Sequence, residues 1–592
     1  MTVLQELDRY CGRMAARGDV VLPGWSIEPI GVVLELDADG TLLDTISWTD
    51  ARGRGRPEPV PKWFSRSGRG STPYFLWENA AYGLGLGAKD PGKTARDHAA
   101  FRKLHLDTLE GEADEGLVAL CRFLTAWTPD RARLPRLDDK ALLLNFAFKL
   151  RGENRLLHAS PAAAPHIERL RAGSARTEAG FCLVRGASLP LVKLHPKIKG
   201  IDGTASAEVP LVSFNQAAFE SYGKEQGHNA PTSQEAAFRY GAALNALLTR
   251  GGPNRLRIGD TTVAFWADAS ALDAAAAEAA ARASEDFFAM VVDPRPAREG
   301  ATDAEQSARL GENLRRVKRG EPLSLLAPDL REGVRFHVLA LAPNAARLVV
   351  RCWLSDDFSR FVRALAQHQE DLAIEPPPWR ARLPSVQYLL LRTTAVQEKA
   401  ENIPNGLTGA VLAAVLAQTP YPRTLLATVV MRLRAGADPS HGWHAAAIKA
   451  CLSRIRSEEP VPVSLDLANT NQAYLCGRLF AVLEAAQRTA LGRVNASIAD
   501  RYYGAASSTP ARVFSALMRG ARAHISTAHK LNKGFWIDGR IEEIVGKLPA
   551  GFPRTLRLED QGRFAIGYYH ERAAARPDKT DPDAASDVKE TQ

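Results

Sequence analysis

The hydrophobic pattern of this chain changes near Val386, and that change restricts the fold more than any other feature. Before it, strand-like alternation of apolar residues stands between helical segments. Beyond it, strand signals become rare and helical patterns recur up to Arg572. A chain of 592 residues is also longer than one hydrophobic core supports. We therefore predict an α+β fold, with a mixed α/β N-terminal body followed by a C-terminal all-helical bundle.

Proline and charge mark the predicted domain bounds. Residues 293–320 are charged and contain Pro and Gly, which is typical of a linker, and residues 375–384 are rich in Pro. We expect an N-terminal α/β body over residues 1–292. The other predicted parts are a linker, hairpin and helix that complete this body (293–384), the helical bundle (385–575) and a polar, disordered tail (576–592).

Local patterns predict several elements of the N-terminal body. Residues 29–46 predict a β-hairpin, because two apolar runs flank a loop in which Gly40 suits a positive φ. Residues 334–341 and 346–353 predict a second hairpin. The remaining predictions are a basic loop over residues 50–73 and helices over residues 74–84, 95–109 and 115–126.

Composition excludes several classes of protein. The six cysteines are scattered without a CxxC pair, so we expect reduced and mostly buried thiols. The sequence has no run of about 18 apolar residues and no signal-peptide core at its N-terminus. We therefore expect a cytoplasmic protein that uses no membrane, no metal and no other cofactor.

One motif indicates phosphate binding. Residues 87–94, from Gly87 to Lys93 and Thr94, match the pattern GxxxxGK[ST]. Its mechanism requires a buried strand before the loop and a helix after it, so that backbone N–H groups converge on the phosphates. The preceding residues are helix-like and then rich in Gly, which favours a turn between two helices. We predict no catalytic residue, and an NTPase or nuclease that uses this segment is the alternative function.

The net charge of +9 is concentrated in particular regions. The loop over residues 50–73 combines arginines with Gly and Ser, and residues 193–229 combine lysines with amide side chains. Such side chains contact phosphates and base edges, although solvated surface loops explain both patterns equally well. The third region, from Arg501 to Trp536, has no acidic residue. This uncompensated positive charge favours contact with a nucleic-acid backbone. The alternative interpretation is a scaffold that only holds partner proteins.

Helical geometry places three arginines of this third region on one ridge. At 100° per residue, Arg512, Arg519 and Arg522 lie within about 80° of one another. Val513, Phe514 and Leu517 then face the opposite side, where we expect a core. Lys530 and Lys533 follow the same segment.

Several long strings of residues resemble a known family. LHPKIKGIDG, FESYGKEQGHNAPTS, AVQEKAENIPNGLTG, NTNQAYLCGRLFAVLEAAQ, DRYYGAASSTPARVF and LEDQGRFAIGYYHER are similar to signature blocks of the large subunit of the type I-C CRISPR Cascade. The resemblance extends over nearly the whole chain. It implies a non-catalytic subunit that recognises the protospacer-adjacent motif (PAM) in duplex DNA, helps open the duplex and stabilises the R-loop.

The resemblance also implies partners and contact residues. The partners are the backbone, crRNA-end-binding and small Cascade subunits, the crRNA, target double-stranded DNA, and a helicase-nuclease recruited after the R-loop forms. Gln226 and Lys224 both remain candidates for the strand-separating wedge. The predicted PAM and duplex contacts are Ser67, Gly68, Arg69, Thr72, Tyr74, Asn79, Asn215, Lys224, Gln226 and Asn229, and the predicted backbone contacts are Lys197, Lys199, Arg512, Arg519, Arg522, Lys530 and Lys533.

Overall fold

The structure is a computed structural model whose contacts group into two compact units. Unit 1 comprises Met1–Lys197 and Val212–Ala246, and unit 2 comprises Ile198–Leu211 and Leu247–Gln592. The predicted domain bounds stay a prediction. The structure describes residues 2–17, 24–63, 71–87, 90–130, 134, 140–173, 179–204, 208–292, 303–345, 347–379, 384–395, 399–455, 459–492, 494–548 and 551–575.

Unit 1 is built on a mixed sheet with helices against it. The long strand β1 pairs antiparallel with β3 through its first half and with β2 through its second half, while β5 runs parallel to it on the other side. Its elements are β1 (Trp25–Leu36), β2 (Leu42–Ser47), β3 (Arg56–Pro61), β4 (Trp77–Asn79), β5 (Asn145–Leu150), β6 (Ala179–Cys182), β7 (Ala187–Pro190), α1 (Val3–Arg17), α2 (Ala80–Gly83), α3 (Pro91–Thr108), α4 (Glu115–Ala126), α5 (Ala163–Gly173) and α6 (Gln234–Leu247).

Unit 2 combines an antiparallel sheet, in the order β10-β11-β12-β13, with a large set of helices. One hydrophobic core runs from the sheet, at Phe265 and Phe336, to Phe480 and Phe564 in the C-terminal helices. Its elements, with β8 at the boundary, are β8 (Lys197–Ile198), β9 (Val209–Pro210), β10 (Arg255–Ile258), β11 (Thr261–Asp268), β12 (Arg335–Asn344), β13 (Arg347–Asp357), α7 (Ala274–Val292), α8 (Asp303–Lys318), α9 (Phe358–Leu372), α10 (Val386–Thr393), α11 (Leu407–Ala417), α12 (Arg423–Arg434), α13 (Gly442–Ser453), α14 (Gln472–Leu491), α15 (Ile498–Ala506), α16 (Pro510–Lys530), α17 (Trp536–Gly546) and α18 (Leu558–Ala574).

The fold class is confirmed, and so are several local predictions. β1 and β2 form the hairpin predicted over residues 29–46, with Gly40 at φ +82° in the turn. β12 and β13 form the second hairpin, and α3 and α4 lie where helices were expected. All six cysteines are free thiols, and all but Cys121 are buried. Among the described residues, no helix is both long and apolar enough to span a bilayer.

Two local predictions were wrong. Part of the basic loop is the edge strand β3, which pairs with β1. Pro57, Pro59 and Pro61 occupy every second position of this strand, and an edge strand tolerates prolines where no N–H is needed for pairing. The segment predicted as a helix over residues 74–84 contains β4 and the short α2, because Leu76 takes a left-handed φ of +66° that no helix accommodates. The predicted linker contains the helix α8, in which Leu314 and Val317 are buried while Glu312, Arg315 and Lys318 are exposed.

A buried charge network fixes α17 between α14 and α18. The side chain of Arg478, on α14, is 0% exposed; its Nε donates to Glu571 Oε2 at 2.7 Å and its Nη2 to Glu543 Oε2 at 3.0 Å. Arg540 Nε pairs with the other Glu571 oxygen at 3.0 Å. A buried charge that loses its partner costs about 3–5 kcal/mol, so this network specifies how the three helices pack.

Candidate nucleic-acid interface

A tight turn of unit 1 presents an aromatic side chain to solvent. Lys224 N–H donates to Ser221 O at 3.1 Å, and the two intervening residues, Tyr222 and Gly223, have φ values of +56° and +68°. This is the left-handed geometry of a two-residue hairpin turn. Tyr222 is 99% exposed at the tip, so its ring has almost no contact with the protein.

The amide of Asn229 holds this turn from inside. Its Oδ1 accepts from Ser221 N–H at 3.0 Å, and its Nδ2 donates to Lys224 O at 2.8 Å and to Gln226 O at 3.1 Å. The structure therefore brings together Lys224, Gln226 and Asn229 of the predicted set. Lys224 and Gln226 are exposed, whereas the amide of Asn229 is engaged in positioning the turn.

The base of the turn is anchored to the segment that follows β7. Gly227 N–H donates to Lys193 O at 3.0 Å, and Val192 N–H donates to Thr232 O at 3.0 Å. A Cβ on Gly227 would lie 2.3 Å from Val192 O and 2.7 Å from Lys193 O, both backbone atoms. Only glycine fits at this position, so the sequence specifies how closely the two chain segments approach.

Backbone strain also marks this turn. Tyr222 and Gln226, at φ +45°, are both non-glycine residues in the left-handed region. Each such residue costs about 1–2 kcal/mol and persists only where its surroundings enforce it. The sequence prediction missed Tyr222, because Tyr-Gly is not among the pairs, such as Asn-Gly and Asp-Gly, that mark a two-residue hairpin turn.

A second predicted group lies in the segment that leads into β4. Glu78 organises it, because Oε1 accepts from Tyr74 N–H at 3.1 Å and Oε2 from Asn79 N–H at 2.8 Å. The ring of Tyr74 is 8% exposed and stacks on Trp77 at 4.7 Å between centroids. Asn79 Oδ1 caps α2, while Thr72 is exposed. Tyr74 and Asn79 thus support this segment, and Thr72 is its outward-facing member.

A buried histidine fixes the same segment. Burial lowers the pKa of His105 to about 4, so the ring is neutral. Its Nδ1 lies 2.8 Å from Phe101 O and donates to it, while Nε2 accepts from Leu76 N–H at 2.8 Å. The strained backbone of Leu76 is therefore held by a specific hydrogen bond.

The remaining predicted contacts of the N-terminal half are more dispersed. Arg54 pairs with Asp50 at 2.9 Å and Lys62 with Glu28 at 2.7 Å, so part of the predicted basic loop is neutralised within the protein. Asn215 and Lys197 are exposed, and Lys199 pairs with Glu208 at 3.2 Å. Ser67, Gly68 and Arg69 lie outside the described residues.

The C-terminal basic ridge forms as the helical spacing predicted. Phe514 and Leu517 are buried in the core of unit 2, and Phe514 stacks on Phe552 at 4.7 Å. On the outer face of α16, Arg512, Arg519 and Arg522 are exposed and form no ion pair with any residue that the structure describes. Repulsion among these charges is therefore relieved only by solvent ions or by an anionic partner.

Comparison with known proteins identifies the family. The model of a family of CRISPR-associated proteins, Cas_Csd1, matches residues 7–576. The chain belongs to the Cas_Csd1 family. No curated protein matches it. Membership makes the chain a CRISPR-associated Cascade subunit, as the resemblance of its sequence implied.

In this Cas_Csd1 family member the described residues around the phosphate-loop-like segment lack the strand that a nucleotide site requires. α2 ends at Gly83 and α3 begins at Pro91, so the segment, of which 88 and 89 are not described, follows a helix and continues into the first turn of α3. Asp90 caps α3, and Lys93 Nζ pairs with Asp97 Oδ2 at 3.1 Å. The lysine that would bind phosphate is thus engaged with a carboxylate, and no observation favours the NTPase alternative.

Proposed function

We propose that this Cascade subunit recognises the PAM in duplex DNA, helps open the duplex and stabilises the R-loop, without catalysis of its own. The observation that carries the proposal is the turn from Ser221 to Lys224, which Asn229 holds by three hydrogen bonds with Tyr222 almost fully exposed at its tip. A strained, pre-organised turn with an exposed ring serves contact with another molecule better than it serves stability.

The turn offers two kinds of contact with a duplex. Lys224 supplies a charged donor for phosphates or for guanine acceptors, and the amide of Gln226 supplies both donor and acceptor for base edges. The exposed ring of Tyr222 lies in the same turn as Lys224. Aromatic or apolar side chains that insert at a base step unstack it at a cost of a few kcal/mol, which the added contacts offset. We therefore assign strand separation to Tyr222, with Lys224 and Gln226 beside it.

The basic ridge on α16 suits the second part of this function, the binding of opened DNA. Arg512, Arg519 and Arg522 present three exposed guanidinium groups along α16, which suits sequence-independent binding of a phosphate backbone. We assign this ridge to the opened DNA. The other Cascade subunits would hold the crRNA, and a separate helicase-nuclease would act on the completed R-loop.

Replacing Lys224 with alanine is expected to lower PAM selectivity of the assembled complex. The measurement is enrichment from a library of duplexes that are randomised beside a matched protospacer. The wild-type complex should enrich one short motif, and Lys224→Ala should reduce that enrichment about 5- to 100-fold, the range for one specific base contact. Lys103→Ala, an exposed lysine on α3, is the matched control and should retain it. Unchanged enrichment with Lys224→Ala would remove this residue from PAM reading.

A further inference from the structure

Basic and aromatic side chains meet where α16 ends and α17 begins. We call residues 530–536 the α16–α17 elbow. Lys530 and Lys533 are exposed here, and so are Phe535 at 66% and Trp536 at 42%. Large exposed aromatic residues beside lysines are the combination with which proteins bind single-stranded nucleic acid: the cations contact phosphates, and the rings stack on bases.

The ring of Phe535 is held in a defined orientation. It stacks on the His529 ring with a centroid distance of 5.2 Å and an interplanar angle of 17°. Asp538 Oδ2 lies 3.2 Å from Nε2 of the same histidine. One face of the phenyl ring is therefore backed by a side chain of the protein, while most of the residue stays in contact with solvent.

The backbone of the elbow is also fixed. Lys533 N–H donates to Ala528 O at 3.0 Å across the end of α16, and Asn532 takes a left-handed φ of +52° to close the helix. The second half of α17 is held through Glu543 by the buried guanidinium of Arg478. An ordered platform loses little conformational entropy when a ligand stacks on it, which favours binding.

We propose that the elbow binds the unpaired bases of a single DNA strand, by stacking on Phe535 with Lys530 and Lys533 on the phosphates. Charge identifies the occupant. The stretch from Arg501 to Trp536, which contains no acidic residue, ends in this elbow, and such a surface attracts a polyanion such as DNA. The proposal extends the assignment of the ridge to opened DNA, but it does not depend on PAM reading by unit 1.

Stacking and phosphate contact can be separated by the probe. The affinities of the full chain for fluorescent oligothymidylate and for an abasic strand of equal length are measured by anisotropy at low salt. Wild type should bind oligothymidylate more tightly than the abasic strand. Phe535→Ala should weaken binding of oligothymidylate about 5- to 100-fold, as expected for the loss of one stacked base, and leave the abasic strand unaffected.

Three further variants make the result specific. Phe535→Tyr should behave as wild type and Phe535→Leu as the alanine variant, because leucine keeps apolar bulk but has no π face. Phe181→Ala removes a phenylalanine of similar exposure, 60%, on β6 of unit 1 and should have no effect. PAM reading is measured separately, by enrichment of duplexes, so failure of this proposal and failure of PAM reading give different results.

Several outcomes would overturn the proposal. These are undetectable binding of oligothymidylate by wild type, equal losses on the thymidine and abasic strands, and wild-type binding by Phe535→Ala. If Phe535→Ala instead lowers recovery of the assembled Cascade with oligonucleotide binding intact, the elbow is a contact for a neighbouring protein subunit.

Discussion

Replacing Gly227 with alanine is expected to abolish PAM-dependent binding of duplex DNA by the assembled complex. The added Cβ would overlap the carbonyl oxygens of Val192 and Lys193, so the chain must move and the hydrogen bond to Lys193 O must break. The turn that carries Tyr222 and Lys224 then loses its anchor. Because several side chains are displaced together, we expect affinity to fall by at least about tenfold, with binding no stronger than to a PAM-less duplex.

The control for this variant separates the turn from the fold. Gly173→Ala changes a glycine at the end of α5 in the same unit, where a Cβ meets no atom within 4 Å, and should leave affinity unchanged. The clash is local to the buried Gly227, so thermal unfolding of Gly227→Ala should remain one cooperative transition, like that of Gly173→Ala and of wild type. A Gly227→Ala complex that assembles and still selects the PAM would contradict the role given to the turn.

Reversing the charge of the basic ridge is expected to weaken retention of opened DNA, chiefly at raised salt. The change is Arg512→Glu, Arg519→Glu and Arg522→Glu in one chain, and the measurement is the affinity for a duplex with an unpaired bubble, over a series of salt concentrations. Removing one cation from a phosphate reduces the slope of log affinity against log salt by about 0.7 to 0.9. Removing three therefore reduces the slope by about 2 to 3, and affinity should fall by at least about tenfold near physiological salt.

Three arginines that already have acidic partners provide the comparison. Arg282, Arg315 and Arg360 are exposed and pair with Glu278, Glu312 and Asp356 on their own helices or beside them. Their reversal alters the net charge equally, so it controls for the general field of the protein. If both triple variants change the salt slope by the same amount, the ridge is not a specific binding surface.

The sequence predicted the architecture best where a repeating pattern was involved. The hairpin of β1 and β2 and the ridge on α16 follow from alternation and from helical spacing, which are local properties. α8 was missed because its apolar face is narrow, with Leu314 and Val317 among charged neighbours. A segment with so many charged residues is typical of a linker. β3 was missed because three prolines argue against a strand, unless it is known to lie at an edge.

The site was less predictable because its residues act through geometry that only the fold defines. Asn229 was expected to contact DNA, yet its amide is engaged in three hydrogen bonds that hold the turn. Tyr74 was expected at the surface, yet its ring lies against Trp77. Composition cannot distinguish an amide that reads a base from one that supports a turn, whereas Tyr222 becomes conspicuous only once its exposure is known.

The most direct test of strand opening by this subunit compares two substrates for Tyr222→Ala. One is an intact duplex with the PAM and a matched protospacer; the other is identical except that the base pairs next to the PAM are already unpaired. If Tyr222 separates the strands, the variant complex should bind the intact duplex about tenfold or more weakly than wild type, and the unpaired substrate equally well. Equal losses on both substrates, or no loss on either, would contradict the account.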